Sequence, residues 1–196
     1  TIPSAVTANA LQVDNGGILN QTNGFSLTIS NGTGNDGSGY DFIVENGGIY
    51  VINGTKPVFN TGATAEIRTG GTVRADGNSS PNESDDFAYQ TNATFRTGSI
   101  FQWNNSNAIQ TSGLTYFQNS TTSDMPIFRV TASIGTNLGA SSSTTFNGKF
   151  ECNSGTATWA NSGIKTFRDG LGGTGTITHN SSCGTFSITG TNAVID

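Results

Sequence analysis

The amino-acid sequence predicts an all-β chain wound as a parallel β-solenoid, and three observations carry that expectation. Apolar residues, twelve Phe among them, recur in short runs of alternating polarity, while the 27 Gly interrupt almost every window where a helical spacing could build up. Four segments align without a gap: LQVDNGGIL (11–19), FIVENGGIY (42–50), AEIRTGGTV (65–73) and ATFRTGSIF (93–101). The glycines anchoring that alignment lie 31, 23 and 28 residues apart. A base period near 23 with insertions is the pattern of stacked coils carrying loops of variable length. A β-sandwich of similar turn density is the alternative fold.

Each column of the alignment has a physical reading. Leu11, Phe42, Ala65 and Ala93 share a strand face with Val13, Val44, Ile67 and Phe95, because residues two apart on a strand point the same way. That face is apolar and belongs inside. The charged column Asp14, Glu45, Arg68 and Arg96 follows and points outward. In register, Glu45 and Arg68 form an ion pair between coils. Gly16, Gly47, Gly70 and Gly98 mark a bend that needs positive φ or a close backbone approach. After the bend, Leu19, Tyr50, Val73 and Phe101 return to the inside.

The insertions, NGTGNDGSGYD (31–41) and ADGNSSPNESDD (75–86), are rich in turn-forming residues and read as surface loops. Beyond residue 101, TSGLTYF, FNGKFEC, NSGIKTF and GTGTITH keep the strand–glycine–strand order with irregular spacing. The whole chain, 1–196, reads as a single domain of roughly eight coils, each rising about 4.8 Å, and, with no cap for the strand edges at its ends, as a segment of a longer or assembling protein.

The NGG and TGG rungs, set in a Ser/Thr/Asn-rich and Lys-poor chain, resemble the right-handed parallel β-helices of secreted bacterial surface proteins. These include autotransporter and haemagglutinin-type passengers and the large adhesins of gliding bacteria. The resemblance is best over residues 10–105 and concerns architecture. It implies an extracellular or cell-surface location and carries no catalytic residue across.

Composition narrows the function. A net charge of −5 lacks the basic face that nucleic acid or an anionic membrane requires. No apolar run approaches the ~20 residues of a bilayer span. No nucleophile elbow, HExxH or Walker-type loop occurs, and the glycine pairs are followed by no helix that would hold a phosphate. His179 stands alone in TITHN and reads as an outward residue. The TxT pairs at Thr156/Thr158, Thr174/Thr176/Thr178 and Thr189/Thr191 are unevenly spaced and specify no flat threonine ladder for ice.

Two loops remain as candidates for chemistry. GTGNDGSGYD (32–41) is similar to one unit of a calcium-binding nonapeptide repeat, with Asn35, Asp36 and Asp41 as its oxygen donors. Ca²⁺ is thus the one possible cofactor, although such sites use tandem copies. Loop 75–89 carries Asp76, Glu83, Asp85 and Asp86, where clustered carboxylates would suit a hard cation or act on a polysaccharide. Tyr89 and Tyr116 are the surface aromatics chosen for stacking on sugars, whereas Phe101 and Trp103 fall on inward positions. Cys152 and Cys183 are 31 residues apart, the interval from Gly16 to Gly47, and so are expected as a disulfide between adjacent coils. The expected function is that of a non-enzymatic structural or adhesive solenoid, touching glycans or other surface proteins through its loops and self-associating end to end. The alternative is a polysaccharide-cleaving β-helix with its site on loop 75–89.

Overall fold

The computed structural model describes residues 1–2, 4–22, 24–34, 36–53, 55–76, 86–105, 109, 114–132, 134–138, 143–159, 162–179, 184–190 and 194–195. Every strand pairing among them is parallel, which excludes a sandwich of antiparallel hairpins and makes the fold a β-solenoid. Each regular coil passes through three strand positions. Sheet I holds Leu11–Val13, Phe42–Val44, Ala65–Ile67 and Ala93–Phe95, then, as a separate upper part, Thr115–Tyr116, Thr144–Phe146, Lys165–Phe167 and Phe186–Ile188. Sheet II is continuous through eight strands: Ile18–Gln21, Ile49–Ile52, Thr72–Ala75, Ile100–Trp103, Ile127–Val130, Lys149–Cys152, Gly170–Gly172 and Val194–Ile195. Sheet III has a lower part, Val6–Ala8, Leu27–Ile29 and Val58–Phe59, and an upper part, Ile134–Leu138, Thr156–Trp159 and Thr176–His179.

The register reproduces the sequence columns. Leu11 pairs with Phe42, Phe42 with Ala65 and Ala65 with Ala93; Leu19 pairs with Tyr50, Tyr50 with Val73 and Val73 with Phe101. Almost all these inward residues are fully buried, and each column is a ladder of apolar contacts through the core. In the upper half the ladder becomes aromatic. Tyr116 stacks on Phe146 at 4.7 Å and Phe146 on Phe167 at 5.5 Å, with Trp159 set edge-on to both phenylalanines.

The corner between sheets I and II explains the glycine column. The amide of Gly48 donates to the carbonyl of Glu45 (2.9 Å) and that of Gly71 to Arg68 (2.8 Å), closing four-residue turns whose third residue is Gly47 (φ +75°) or Gly70 (φ +77°). Positive φ at the third position is the type II pattern. The second glycine serves a different need. A Cβ on Gly48 would lie 2.5 Å from the Val13 carbonyl oxygen of the coil below, so no side chain fits there. Along this corner the amides point from coil to coil: Gly16 to Gly47, Gly47 to Gly70, Gly70 to Gly98, and Gly98 to Met125.

Two departures from the sequence expectation concern the middle of the chain. Where sheet III is interrupted, the end of loop 75–89 is the helical turn Asp86–Tyr89, and Phe87 enters the core. Its ring lies 6.0–6.3 Å from those of Phe42, Tyr50, Phe59 and Phe95. It fills the volume that a third strand would otherwise supply. Coil length also varies: the intervals along sheet II are 31, 23, 28 and 27 residues up to Ile127, then 22, 21 and 24. The irregular upper glycine segments therefore belong to different corners of shorter coils.

The disulfide expectation is corrected at Cys152. Cys152 pairs in register with Val130 and faces the core as a free thiol. Cys183 itself is outside the described residues.

Candidate functional site

The densest polar chemistry lies on the outer face of lower sheet I, where loop 31–41 folds back over the strands. Asp41 anchors the loop. Its two carboxylate oxygens accept the amides of Gly32 (2.6 Å) and Thr64 (2.9 Å), and the residue is buried. Farther out, Asp36 accepts the Ser38 amide at 2.9 Å and pairs with Arg68. Hydrogen bonds from Ser38 and then Arg68 hold the Asp36 carboxyl well below the usual carboxylate range.

Arg68 is the hub of this face. Besides Asp36, its guanidinium meets Glu45 of the coil below at 2.6 Å and Glu66 of its own coil at 2.9 Å. Arg96, one coil up, meets the other oxygen of Glu66 at 2.7 Å and Asp124 at 3.6 Å, and donates to the Tyr40 hydroxyl at 3.2 Å. Glu66, almost fully buried, thus lies between two arginines. Hydrogen bonding to Asp36 and Glu66 raises the pKa of Arg68, and hydrogen bonding to Glu66 raises that of Arg96. Gln12 extends the network downward by donating to Glu45 at 3.1 Å. The arrangement clamps a display loop onto a sheet. Each carboxylate described in it, Asp36, Asp41, Glu45, Glu66 and Asp124, has a guanidinium or amide partner.

The outer face of sheet II uses its charges similarly. Arg74 makes a two-pronged contact with Asp76 (2.6 and 2.8 Å), to which Asn104 adds a bond at 2.9 Å. Arg129 and Lys149 both reach Glu151, at 2.8 and 3.5 Å. Arg168 stitches the irregular segment above coil four: it donates to the carbonyls of Thr121 (3.1 Å), Asp124 and Asn147 (2.6 Å).

The expected site residues divide accordingly. Asp36 and Asp41 belong to one loop, but their carboxylates are turned to Arg68 and to backbone amides. Among the described residues no three His, Cys, Asp or Glu side chains come together as metal ligands. Asn35, Glu83 and Asp85 lie outside the described residues, and of Asp86 only the backbone is described. Asp76 is the carboxylate of loop 75–89 with a defined place, and Arg74 holds it. The two tyrosines chosen for sugar stacking differ, since Tyr89 is half-buried and Tyr116 wholly so. Tyr116 is fully buried and Tyr89 packs edge-on against it at 5.7 Å, because the helical turn draws this end of the loop inward. Phe101, Trp103 and Trp159 are buried, as alternation requires.

His179 is also corrected. It pairs in register with inward-facing Trp159, so it belongs to the interior column and is exposed because it sits on the last coil of its sheet. Beside it is a recess of about 370 Å³ lined by Leu171, Gly172, Gly173, Gly175, Ile177, His179, Phe186 and Ile195.

Sequence reasoning missed Tyr40, Glu66 and Asp124 as partners in the arginine network. Glu66 was legible, since it occupies an outward position two residues before Arg68. Asp124 was not, because the segment joining it to coil four has no repeat signature. No protein family, curated protein or solved structure matches the chain.

Proposed function

We propose that the chain is a non-enzymatic structural and adhesive solenoid of an extracellular bacterial surface protein, whose loops contact glycans or other surface proteins. The supporting observation is the use made of charge on its outer faces. Arg68, Arg96 and Arg129 are engaged in holding coils and a loop together, while Arg74 holds Asp76 of its own coil. Loop 31–41 is fixed to the scaffold from two sides, through Asp41 and through Asp36, so the Gly37–Ser38–Gly39 segment between them is presented from a stiff base. A stiff scaffold carrying a pre-ordered polar loop binds with less ordering cost than a flexible chain. Hydrolysis, in contrast, needs two carboxylates set apart for acid and base roles.

The test is a panel of soluble and insoluble polysaccharides presented to the 196-residue chain. Retention without shortened products is the expected result. Release of new reducing ends or unsaturated sugars would overturn the reading in favour of a carbohydrate-active β-helix.

A further inference from the structure

Resting on the glycan-contact reading above, we infer that Tyr40 and Arg96 form the floor of a subsite for a neutral sugar, walled by loop 31–41 on one side and by the turn 117–125 on the other. The two segments are far apart in sequence and meet at one guanidinium. Arg96 donates through Nη2 to the Tyr40 hydroxyl at 3.2 Å, while its Nη1 faces the Asp124 carboxylate at 3.6 Å. Its Nε donates to Glu66 at 2.7 Å, which fixes the plane of the group. Tyr40 is half-buried, and the segment Gly37–Ser38–Gly39 before it is exposed. On the other side Thr121, Thr122 and Ser123 are exposed, on a turn held firmly from beneath. The Asp124 carboxylate accepts the Thr121 amide and hydroxyl at 3.0 and 2.8 Å, and Ser120 donates to the Phe95 carbonyl at 2.7 Å. Arg168 donates to the Thr121 carbonyl at 3.1 Å. The turn opens at Phe117, a buried residue at φ +59°. Positive φ at a bulky non-glycine residue is backbone strain of the kind that collects at ligand clamps.

The chemistry selects the class of ligand. A pyranose presents neighbouring hydroxyls that both donate and accept, and a CH-lined face that packs on an aromatic ring. Asp36, Glu45, Glu66 and Asp124 surround the guanidiniums of Arg68 and Arg96, so carboxylates prevail and an anionic polymer is repelled. The Arg96 side chain is 35% exposed, and its Nη1 stands too far from Asp124 for a hydrogen bond. Both groups therefore keep bonding capacity that a sugar hydroxyl can meet. The Tyr40 hydroxyl accepts from Arg96 and retains its own proton to donate. The hydroxyls of Thr121 and Ser123, 2.8 Å apart, add a donor and an acceptor at the rim. Both walls are anchored before a ligand arrives, through Asp36, Asp41 and Arg168, so little ordering entropy is lost on binding.

The test is affinity for immobilised neutral oligosaccharides ending in glucose, galactose, mannose or N-acetylglucosamine, with uronate-ended chains alongside. At least one neutral sugar should be retained, and the uronates more weakly. Tyr40→Ala should weaken that binding by about tenfold or more. Tyr40→Phe, which loses the bond to Arg96 and keeps the ring, should stay within about threefold of the parent. Ser123→Leu, which sets apolar bulk at the second wall, should also weaken binding, whereas Thr166→Ala, on the outer face of upper sheet I, should bind as the parent does. Asp36 and Asp41 still hold loop 31–41 in the Tyr40 variants, and unchanged protease resistance of the loop checks this. Undiminished binding in Tyr40→Ala would overturn the subsite, as would a loss in Tyr40→Phe as deep as in the alanine variant. Preference for uronates, or retention of none of the neutral sugars, would do the same. Failure here is distinct from failure of the non-enzymatic reading, which falls only if shortened products are released. Sugar retained equally by parent and Tyr40→Ala leaves that reading standing and moves the contact elsewhere on the chain.

Discussion

Replacing Phe87 by Ala removes the side chain that closes the core where sheet III is interrupted. Burial of a phenylalanine takes roughly 150–250 Å² from water. At about 25 cal/mol per Å² this amounts to about 4–6 kcal/mol for the residue, part of which alanine keeps. The ring has edge or tilted contacts with four aromatic neighbours at 6.0–6.3 Å, and the helical turn that carries it cannot follow a smaller side chain inward without breaking the backbone bond from Phe117 to the Ala88 carbonyl (2.6 Å). A cavity therefore persists, and the expected loss is about 3–5 kcal/mol. Urea unfolding followed by intrinsic fluorescence measures it, with hydrogen exchange locating the damage. Protection should fall first at Phe42–Val44 and Ala93–Phe95, the strands beside the plug, and least at Lys165–Phe167. Val58→Ala, at a 47% exposed position of the same sheet, is the control and should cost no more than about 0.5 kcal/mol. A loss below about 1.5 kcal/mol for Phe87→Ala, or a loss spread evenly along the rod, would refute the plug.

The two corner glycines should separate backbone strain from steric exclusion. Gly16→Ala meets nothing within 4 Å and suffers only its positive φ, about 1 kcal/mol, whereas Gly48→Ala drives a Cβ against the Val13 carbonyl and should lose at least twice as much in thermal denaturation. Arg68→Met leaves Asp36, Glu45 and Glu66 without their shared partner, so limited proteolysis should cut within loop 31–41 faster than in the parent at moderate salt. The Asp36 carboxyl has a folded-state pKa depressed below its ordinary 3.8, so its contribution is present above that value and is lost as pH falls below about 4. Loop protection should decline over that acid range in the parent and change little in Asp36→Asn. Burial pushes the Cys152 thiol up, which favours the unreactive protonated form. Alkylation of native chain should leave Cys152 unmodified until denaturant is added, and rapid labelling without denaturant would contradict its place in the core.

The repeat of the first half was legible in the sequence because one physical requirement recurs there. A type II corner demands glycine at its third position, and a close coil demands glycine or a small residue next, so Gly16–Gly17, Gly47–Gly48, Gly70–Gly71 and Gly98–Ser99 stand out in any alignment. Period-two alternation then fixed which residues face inward. The Glu45–Arg68 pair followed from the same register. What alternation could not convey is substitution of one kind of element for another. Phe87 sits in FAY, directly after an acidic stretch, and nothing local distinguishes a core plug from a loop tip. Tyr116 was misplaced for the same reason, and Tyr89 is half-buried because that turn packs inward. The loop over sheet I was hidden differently: Ile43 faces outward by parity yet is buried, and only the long-range pairing of Asp36 and Tyr40 with the arginines accounts for it.

The interval between equivalent strands of sheet II varies from 31 residues to 21, yet the strands stay in step. Loop length is thus uncoupled from ladder register, and doubling a loop adds only about 0.6 kcal/mol of closure entropy. A coil can gain or lose a surface segment without asking its neighbours to repack. The solenoid is in that sense a rack with independent slots, where a foreign peptide grafted in place of residues 33–39 should be tolerated provided that Asp41 and its two amide donors are kept.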